Sequence, residues 1–308
     1  MTLAVSLTLP DNPRTRPILD GIVRPRGLSI TPTVLHPSEM FWRQLRFAEF
    51  DISEMSLAAL TIEASRGRRD WAALPVFSSR RFFHTSVLVR RGSGIEAPTD
   101  LAGKRIGVPE YQQTWAVWSR GILKDQFGVL PEQIEWFMER GEDRSHAAAT
   151  GFRPPEGVRL HQIPPTTDIG QMLMAGELDA TLLYLNSPNQ VDRSSIDLEG
   201  SDQIRTLFPD PEAEARRYYD QTGIYPINHM VVIRRTLLEA NPWMAQSLYD
   251  AFVEAKALVE AQSPSAPPAP YGLEANRRML ETFTGYAKDQ GLSDRLISVE
   301  ELFAPGIG

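Results

Sequence analysis

The sequence predicts an α/β protein built as two lobes, and three observations lead there. Short extended segments alternate with helical ones from the N-terminus, a second such series restarts near residue 98, and 308 residues is about twice the usual length of one domain. Hydrophobic residues make up 42% of the chain and charged residues 23%, a globular balance at a length that buries a sizeable core without staples.

Leu3–Leu9 alternates apolar and polar residues as a first strand, and residues 27–34 repeat the pattern. His36-Pro37-Ser38-Glu39 opens a helix, with Ser38 as the expected N-cap and Met40, Phe41, Leu45 and Phe47 along it. A short strand at residues 50–52 ends in the turn Ser53-Glu54-Met55-Ser56, and a second helix runs on through Leu57, Leu60 and Ile62. Residues 74–77 and 84–89 read as extended.

The second series begins at Pro98-Thr99-Asp100-Leu101-Ala102-Gly103-Lys104. It continues with a strand at Arg105–Val108, a turn at Tyr111-Gln112-Gln113-Thr114-Trp115 and a helix to about Phe127. Strands at 134–138 and 158–163, a helix at 168–175 and a turn feeding a strand at 176–183 follow. A strand at 230–233, a helix at 243–259 and a Pro-rich loop at 264–270 complete the reading, with no internal repeat.

The formal charge is 32 − 39 = −7, which counts against nucleic acid as a partner, because that binding needs a basic face. Among the basic residues 28 are Arg and 4 are Lys. Arg forks pair bidentately with carboxylates and suit an acidic ligand, although a genome-wide codon bias produces the same excess. The chain has no Cys, which excludes disulfides, thiolate nucleophiles and Cys-type zinc sites. Residues 1–11 alternate without the basic and continuously apolar regions of a signal peptide, and no run approaches the ~18 apolar residues of a membrane span. The expectation is a cytoplasmic protein with no membrane partner. No His-x-His, His-Glu-x-x-His or Gly-rich phosphate loop occurs, so neither a metal nor a nucleotide cofactor is expected.

Several stretches together resemble the periplasmic-binding-protein type II fold in its cytoplasmic, enzymatic branch, and within it the 4,5-dihydroxyphthalate decarboxylase family. They are Phe41-Trp42-Arg43-Gln44-Leu45, Phe50-Asp51-Ile52-Ser53-Glu54-Met55-Ser56, and Pro75-Val76-Phe77 with Arg80, Arg81 and His84. Leu101-Ala102-Gly103-Lys104-Arg105-Ile106-Gly107-Val108-Pro109-Glu110-Tyr111, Gly176-Glu177-Leu178-Asp179-Ala180 and Tyr225-Pro226-Ile227-Asn228-His229 complete the set. The resemblance covers roughly residues 3–260. The Leu101–Tyr111 stretch and the Gly176–Ala180 turn specify only the fold, while the others are narrower. After Pro75-Val76-Phe77 the chain reads Ser78-Ser79-Arg80-Arg81-Phe82-Phe83-His84 and lacks the further Pro and the Arg-His pair common there in the family. The resemblance implies lobe one at 1–97 and 229–308, lobe two at 98–228, two crossover strands between them, and a ligand cleft at strand C-termini and helix N-termini.

The five histidines can be weighed singly. His36, His146 and His161 read as surface or structural groups. His84 and His229 fall beside the predicted crossover strands, where an imidazole can deliver a proton near neutral pH, and a buried structural role is the equal alternative. Arg80 and Arg81 are adjacent and face opposite sides of an extended segment, so one can clamp a carboxylate while the other meets solvent. Glu54, Met55 and Ser56, and again Tyr111, Gln112, Gln113 and Thr114, lie at helix starts whose free N–H groups favour anions, with simple N-capping as the plainer reading. Trp115 and Phe82 can stack on an arene or pack in a core. Asn228 completes the substrate-binding set.

What the resemblance implies is cofactor-independent decarboxylation of a hydroxylated aromatic dicarboxylate, with His84 or His229 as acid, Glu54 as acceptor for the phenol and Arg81 as clamp. The partner is then a small anionic aromatic substrate, and a homo-oligomer is left open. A non-catalytic solute-binding protein or sensor, and another lyase on the same fold, are the rival readings.

Overall fold

The computed structural model describes residues 2–198, 200–263 and 265–307, and a strand forms at the alternating stretch Leu3–Leu9. Pro264 of the Pro-rich loop and the terminal residues Met1 and Gly308 expected in lobe one lie outside the described residues. The first part of the chain runs β1 (Leu3–Leu9), α1 (Arg16–Leu19), β2 (Leu28–Val34), α2 (Pro37–Phe47), β3 (Ile52–Ser56), α3 (Leu57–Ser65), β4 (Trp71–Ala73) and β5 (Ser79–Arg80). The middle part runs β6 (Leu88–Arg90), β7 (Arg105–Val108), α4 (Thr114–Phe127), β8 (Glu135–Met138), α5 (His146–Thr150), β9 (Arg159–Gln162), α6 (Ile169–Ala175), β10 (Ala180–Thr181), β11 (Ile204–Thr206) and α7 (Pro211–Thr222). The last part is β12 (Ile227–Arg234), α8 (Arg235–Ala240), α9 (Trp243–Glu260) and α10 (Arg277–Asp289).

Local chemistry explains several boundaries. The N-cap of α2 is His36, whose Nδ1 accepts from the Ser38 N–H at 3.3 Å, and Pro37 fills the first turn where its missing N–H costs nothing. The cap expected at Ser38 therefore lies two residues earlier. Ser56 ends β3 and caps α3, its Oγ accepting from the Ala59 N–H at 3.3 Å. Glu54 and Met55, expected in a turn, belong to β3 itself.

The chain forms two compact units. One comprises Met1–Arg81, Ile227–Gly285 and Ser293–Gly308, and the other Phe82–Pro226 and Tyr286–Leu292. In the first unit the sheet order is β2-β1-β3-β12-β4, with β5 also paired to β12. β1, β2 and β3 are parallel and β12 runs against them. Val5, Leu7 and Leu9 of β1, Ile52 of β3 and Val231 and Ile233 of β12 are buried together with Met244, Leu248 and Phe252 of α9. Each such side chain contributes roughly 1.5–3 kcal/mol.

In the second unit the order is β11-β6-β10-β7-β8-β9, with β6 antiparallel to both its neighbours and β7, β8, β9 and β10 parallel. The Gly176–Ala180 turn is fastened by Arg105, whose Nη2 lies 2.8 Å from Asp179 Oδ1. Ile169, Met172, Leu173, Leu178 and Ile204 close one core beside it.

The boundary expected at 97/98 falls at Arg81/Phe82, because β6 hydrogen-bonds into the second sheet, and the one expected at 228/229 falls at Pro226/Ile227. Residues 84–89 are not one extended segment: Phe83–Ser86 is a 3-10 turn, so His84 is not on a strand. Among the described residues no helix is long and apolar enough to cross a membrane.

Candidate active site

In the first unit, β3 and β12 bring Glu54, Ser56 and His229 together near the C-terminal end of the parallel strands, the usual ligand edge of open α/β sheets. The register pairs His229 with Ser56 and Val231 with Glu54, so Glu54 is a diagonal neighbour of His229. Nδ1 of His229 lies 3.0 Å from Oε2 of Glu54. A carboxylate only accepts, so Nδ1 donates and Nε2 is left as the nitrogen that can meet a substrate.

Glu54 is fully buried, and its Oε1 has no hydrogen-bond partner among the described residues. The His229 side chain retains 13% exposure. Phe41 of α2 meets the imidazole edge-to-face, with ring centroids 4.7 Å apart at 85°. The pair therefore has one closed end, the carboxylate, and one end with access. Phe41 was not expected in the site, and the Phe41–Leu45 stretch carries no local signal for that contact.

Complete burial also changes the role open to Glu54. An acceptor for a substrate phenol must be reached by it, and Glu54 has no exposed surface. Its Oε2 is placed instead against the Nδ1 of His229.

Arg80 is buried, and its guanidinium donates to Asn276 Oδ1, to the Pro270 carbonyl at 2.9 Å and to Met279 Sδ at 3.3 Å. It also lies 5.3 Å from the Phe77 ring centroid. Its fork is used to fasten the C-terminal segment. Arg81 is exposed, and Asn228 is half-buried on β12 beside His229.

His84 and the Tyr111–Trp115 turn belong to the second unit. His84 has no side-chain exposure, its Nε2 lies 3.1 Å from Glu214 Oε1, and Tyr218 and Phe208 cover its ring at 5.0 and 5.8 Å. Burial pulls its pKa below the usual histidine value, outweighing the pull of Glu214 in the other direction. Burial alone would raise the Glu214 carboxyl, yet donors Arg217 and His84 hold it at about 2. His84 is thus an interior ring with no side-chain exposure in this structure.

Tyr111 is fully buried as well, with the Arg120 guanidinium 3.7 Å from its ring centroid and Phe152 stacked at 5.8 Å. Its ring packs in the core. Gln112 is buried and accepts from Thr150 Oγ1 at 3.1 Å, and Thr114 is buried at the start of α4. Trp115 donates from Nε1 to the Phe83 carbonyl at 3.2 Å.

The same region holds a charge network that the sequence does not announce. Arg140 sits 2.9 Å from Glu110 and 2.8 Å from Asp192, all three side chains having no exposure. Glu110 also accepts from Ser145 Oγ at 2.7 Å and from the Ala147 N–H at the start of α5. Burial would raise its pKa, but His146, Arg140 and these donors lower it on balance. An acid two residues beyond the end of β7 is the local hint.

Comparison with known proteins gives two related enzymes. A 4,5-dihydroxyphthalate decarboxylase from Comamonas testosteroni is 34% identical over 98% of this chain and 97% of its own length. A second, from Pseudomonas putida, is 34% identical over 70% of this chain and 81% of its own. No protein-family profile matches the chain. Among solved structures, the periplasmic aliphatic sulphonate binding protein SsuA from Escherichia coli superposes with a TM-score of 0.61 at 13% identity, over 100% of this chain and 99% of its own. The desulfurization enzyme DSZB superposes with a TM-score of 0.52 at 15% identity, over 98% and 96%. At those identities the likeness shows the fold, that of the type II periplasmic binding proteins.

Proposed function

The chain belongs to the 4,5-dihydroxyphthalate decarboxylase family, and on that footing we propose that it removes CO2 from 4,5-dihydroxyphthalate, with His229 as the proton donor and Glu54 as the residue that positions it. The observation that carries the assignment of roles is the 3.0 Å contact between a buried carboxylate and the Nδ1 of a partly exposed imidazole.

The chemistry dictates what the donor must do. Direct loss of CO2 leaves an aryl carbanion, which is too costly to form. Transfer of the Nε2 proton of charged His229 to the carbon bearing the departing carboxylate avoids it. The hydroxyl para to that carbon supplies electron density as the new C–H bond forms. The C–C bond to the carboxylate then breaks, its electron pair returns to the ring, and aromaticity is restored. The balance is one proton consumed, one CO2 released and 3,4-dihydroxybenzoate formed, with His229 left neutral until solvent recharges it. Glu54 stabilises the imidazolium before transfer and keeps the ring from turning.

The cytoplasmic setting expected from residues 1–11 is part of this reading, and cell fractionation tests it. Incubation of the protein with 4,5-dihydroxyphthalate tests the reaction. Stoichiometric CO2 and 3,4-dihydroxybenzoate are the expected result, and saturable binding without either product would favour a solute-binding role instead.

A further inference from the structure

We propose that Arg14 grips the carboxylate that the substrate keeps, an inference that rests on the decarboxylase reading above. Arg14 follows the C-terminal end of β1 in the loop Pro10-Asp11-Asn12-Pro13-Arg14-Thr15. Its backbone is fixed. Asn12 Oδ1 accepts from the Arg14 N–H at 2.9 Å and from the Thr15 N–H at 3.3 Å, and Thr15 Oγ1 donates back to the Pro10 carbonyl.

Its guanidinium is held far more loosely. Nη1 reaches the Ser78 carbonyl at 3.4 Å and Nη2 reaches Ser265 Oγ at 3.5 Å, both neutral acceptors at the limit of hydrogen bonding. Among the described residues no carboxylate comes within ion-pair distance of it. The acid nearest in effect, Glu260, is bound by Lys256 and accepts from Ser265 Oγ at 2.9 Å. Arg16, two residues on, is by contrast paired with Asp11. Among the described residues the direct hydrogen-bond partners of this half-buried fork are neutral, and a guanidinium pairs more strongly with a carboxylate.

The position fits the substrate. Ser78, whose carbonyl touches Arg14, precedes Ser79, and Ser79 pairs in register with His229. The segment that Arg14 touches therefore runs directly beside the one that carries the proposed donor, in the same sheet. The half-buried Tyr271 phenol, pushed up chiefly by burial, also feels the charges of Arg14, Glu54, Arg80 and Glu260.

Chemistry decides which carboxylate is gripped. The departing carboxylate loses its charge as CO2 forms, so a cation paired to it would stabilise the ground state more than the transition state and slow the reaction. The retained carboxylate keeps its charge throughout, and a fork on it holds the ring at no cost to the chemical step.

The test uses the purified full chain, Arg14→Gln and Arg14→Lys, each checked for an unchanged melting temperature. KM and kcat are measured for 4,5-dihydroxyphthalate, and equilibrium binding for 3,4-dihydroxybenzoate and for catechol, which lacks a carboxylate. For Arg14→Gln the expected result is an increase of about 10-fold to 100-fold in KM and in the Kd for 3,4-dihydroxybenzoate, with kcat within about 3-fold and catechol binding unchanged. Arg14→Lys falls between, because the charge remains without the fork, and it carries the test if the Gln variant is unstable. Normal KM and 3,4-dihydroxybenzoate binding in Arg14→Gln, or in Arg14→Lys should the Gln variant not fold, overturn the inference while leaving the decarboxylase reading intact. A wild type that releases no CO2 from 4,5-dihydroxyphthalate overturns that reading, and the inference with it.

Discussion

His229 and Glu54 lie 175 residues apart in sequence and meet diagonally across the antiparallel pair of β3 and β12, Nδ1 to Oε2 at 3.0 Å. One partner is sealed and the other retains access, which is the asymmetry a positioned proton donor needs. His229→Gln should lower kcat by roughly 10²–10⁴-fold, since that is the usual contribution of an acid–base group. Glu54→Gln should lower kcat by at least about 10-fold with KM nearly unchanged, because the amide still accepts but cannot stabilise an imidazolium. Steady-state kinetics across pH checks both. An unchanged kcat in His229→Gln would assign the proton to another group.

His84 makes a prediction about stability and not about turnover. Its folded pKa lies below the unfolded value near 6.5, so the unfolded chain binds more protons and stability rises with pH there. The wild type should therefore lose stability as pH falls below about 6.5, and His84→Gln, which cannot titrate, should show a smaller loss over that window. Glu214, held at about 2 in the fold, adds its own loss only below its ordinary carboxylate range. Thermal melts at several pH values, paired with kcat at neutral pH, separate the two roles.

Replacing Glu110 by Gln should destabilise the protein by about 3–5 kcal/mol, because it strands part of the buried Arg140 charge. Asp192 remains to compensate, so the lower end of that range is expected. Urea unfolding with a fixed m-value measures it.

Gly121 lies in α4, where Ala would ordinarily gain about 1 kcal/mol of helix propensity. Here a Cβ would run into the ring of Tyr286, which is held by its hydroxyl donating to Asp125 Oδ2 at 2.6 Å. Overpacking should win, and Gly121→Ala should lower stability by roughly 1–3 kcal/mol. A higher melting temperature in that variant would show that Tyr286 moves aside without cost.

Features that depend on neighbours along the chain are readable from the residues alone. The alternation of residues 3–9 became β1 at the same bounds, Ser56 capped the helix after it, and Arg105–Val108 formed the strand expected there. Membership of the decarboxylase family was also legible, because the stretches that carry the resemblance are strings. Tertiary structure decided which of the named side chains could act. Two histidines looked equivalent in sequence, yet one is enclosed by Glu214, Tyr218 and Phe208 while the other keeps an accessible edge. Arg80 looked like a clamp, yet Asn276, 196 residues away, takes its fork. Arg14 carries no motif, and among the described residues it is set apart by a fork whose hydrogen bonds go to neutral acceptors at the limit of reach. The reason is the same in each case. Burial and partner choice are set by strand register and packing between residues distant in sequence, and no local pattern encodes them.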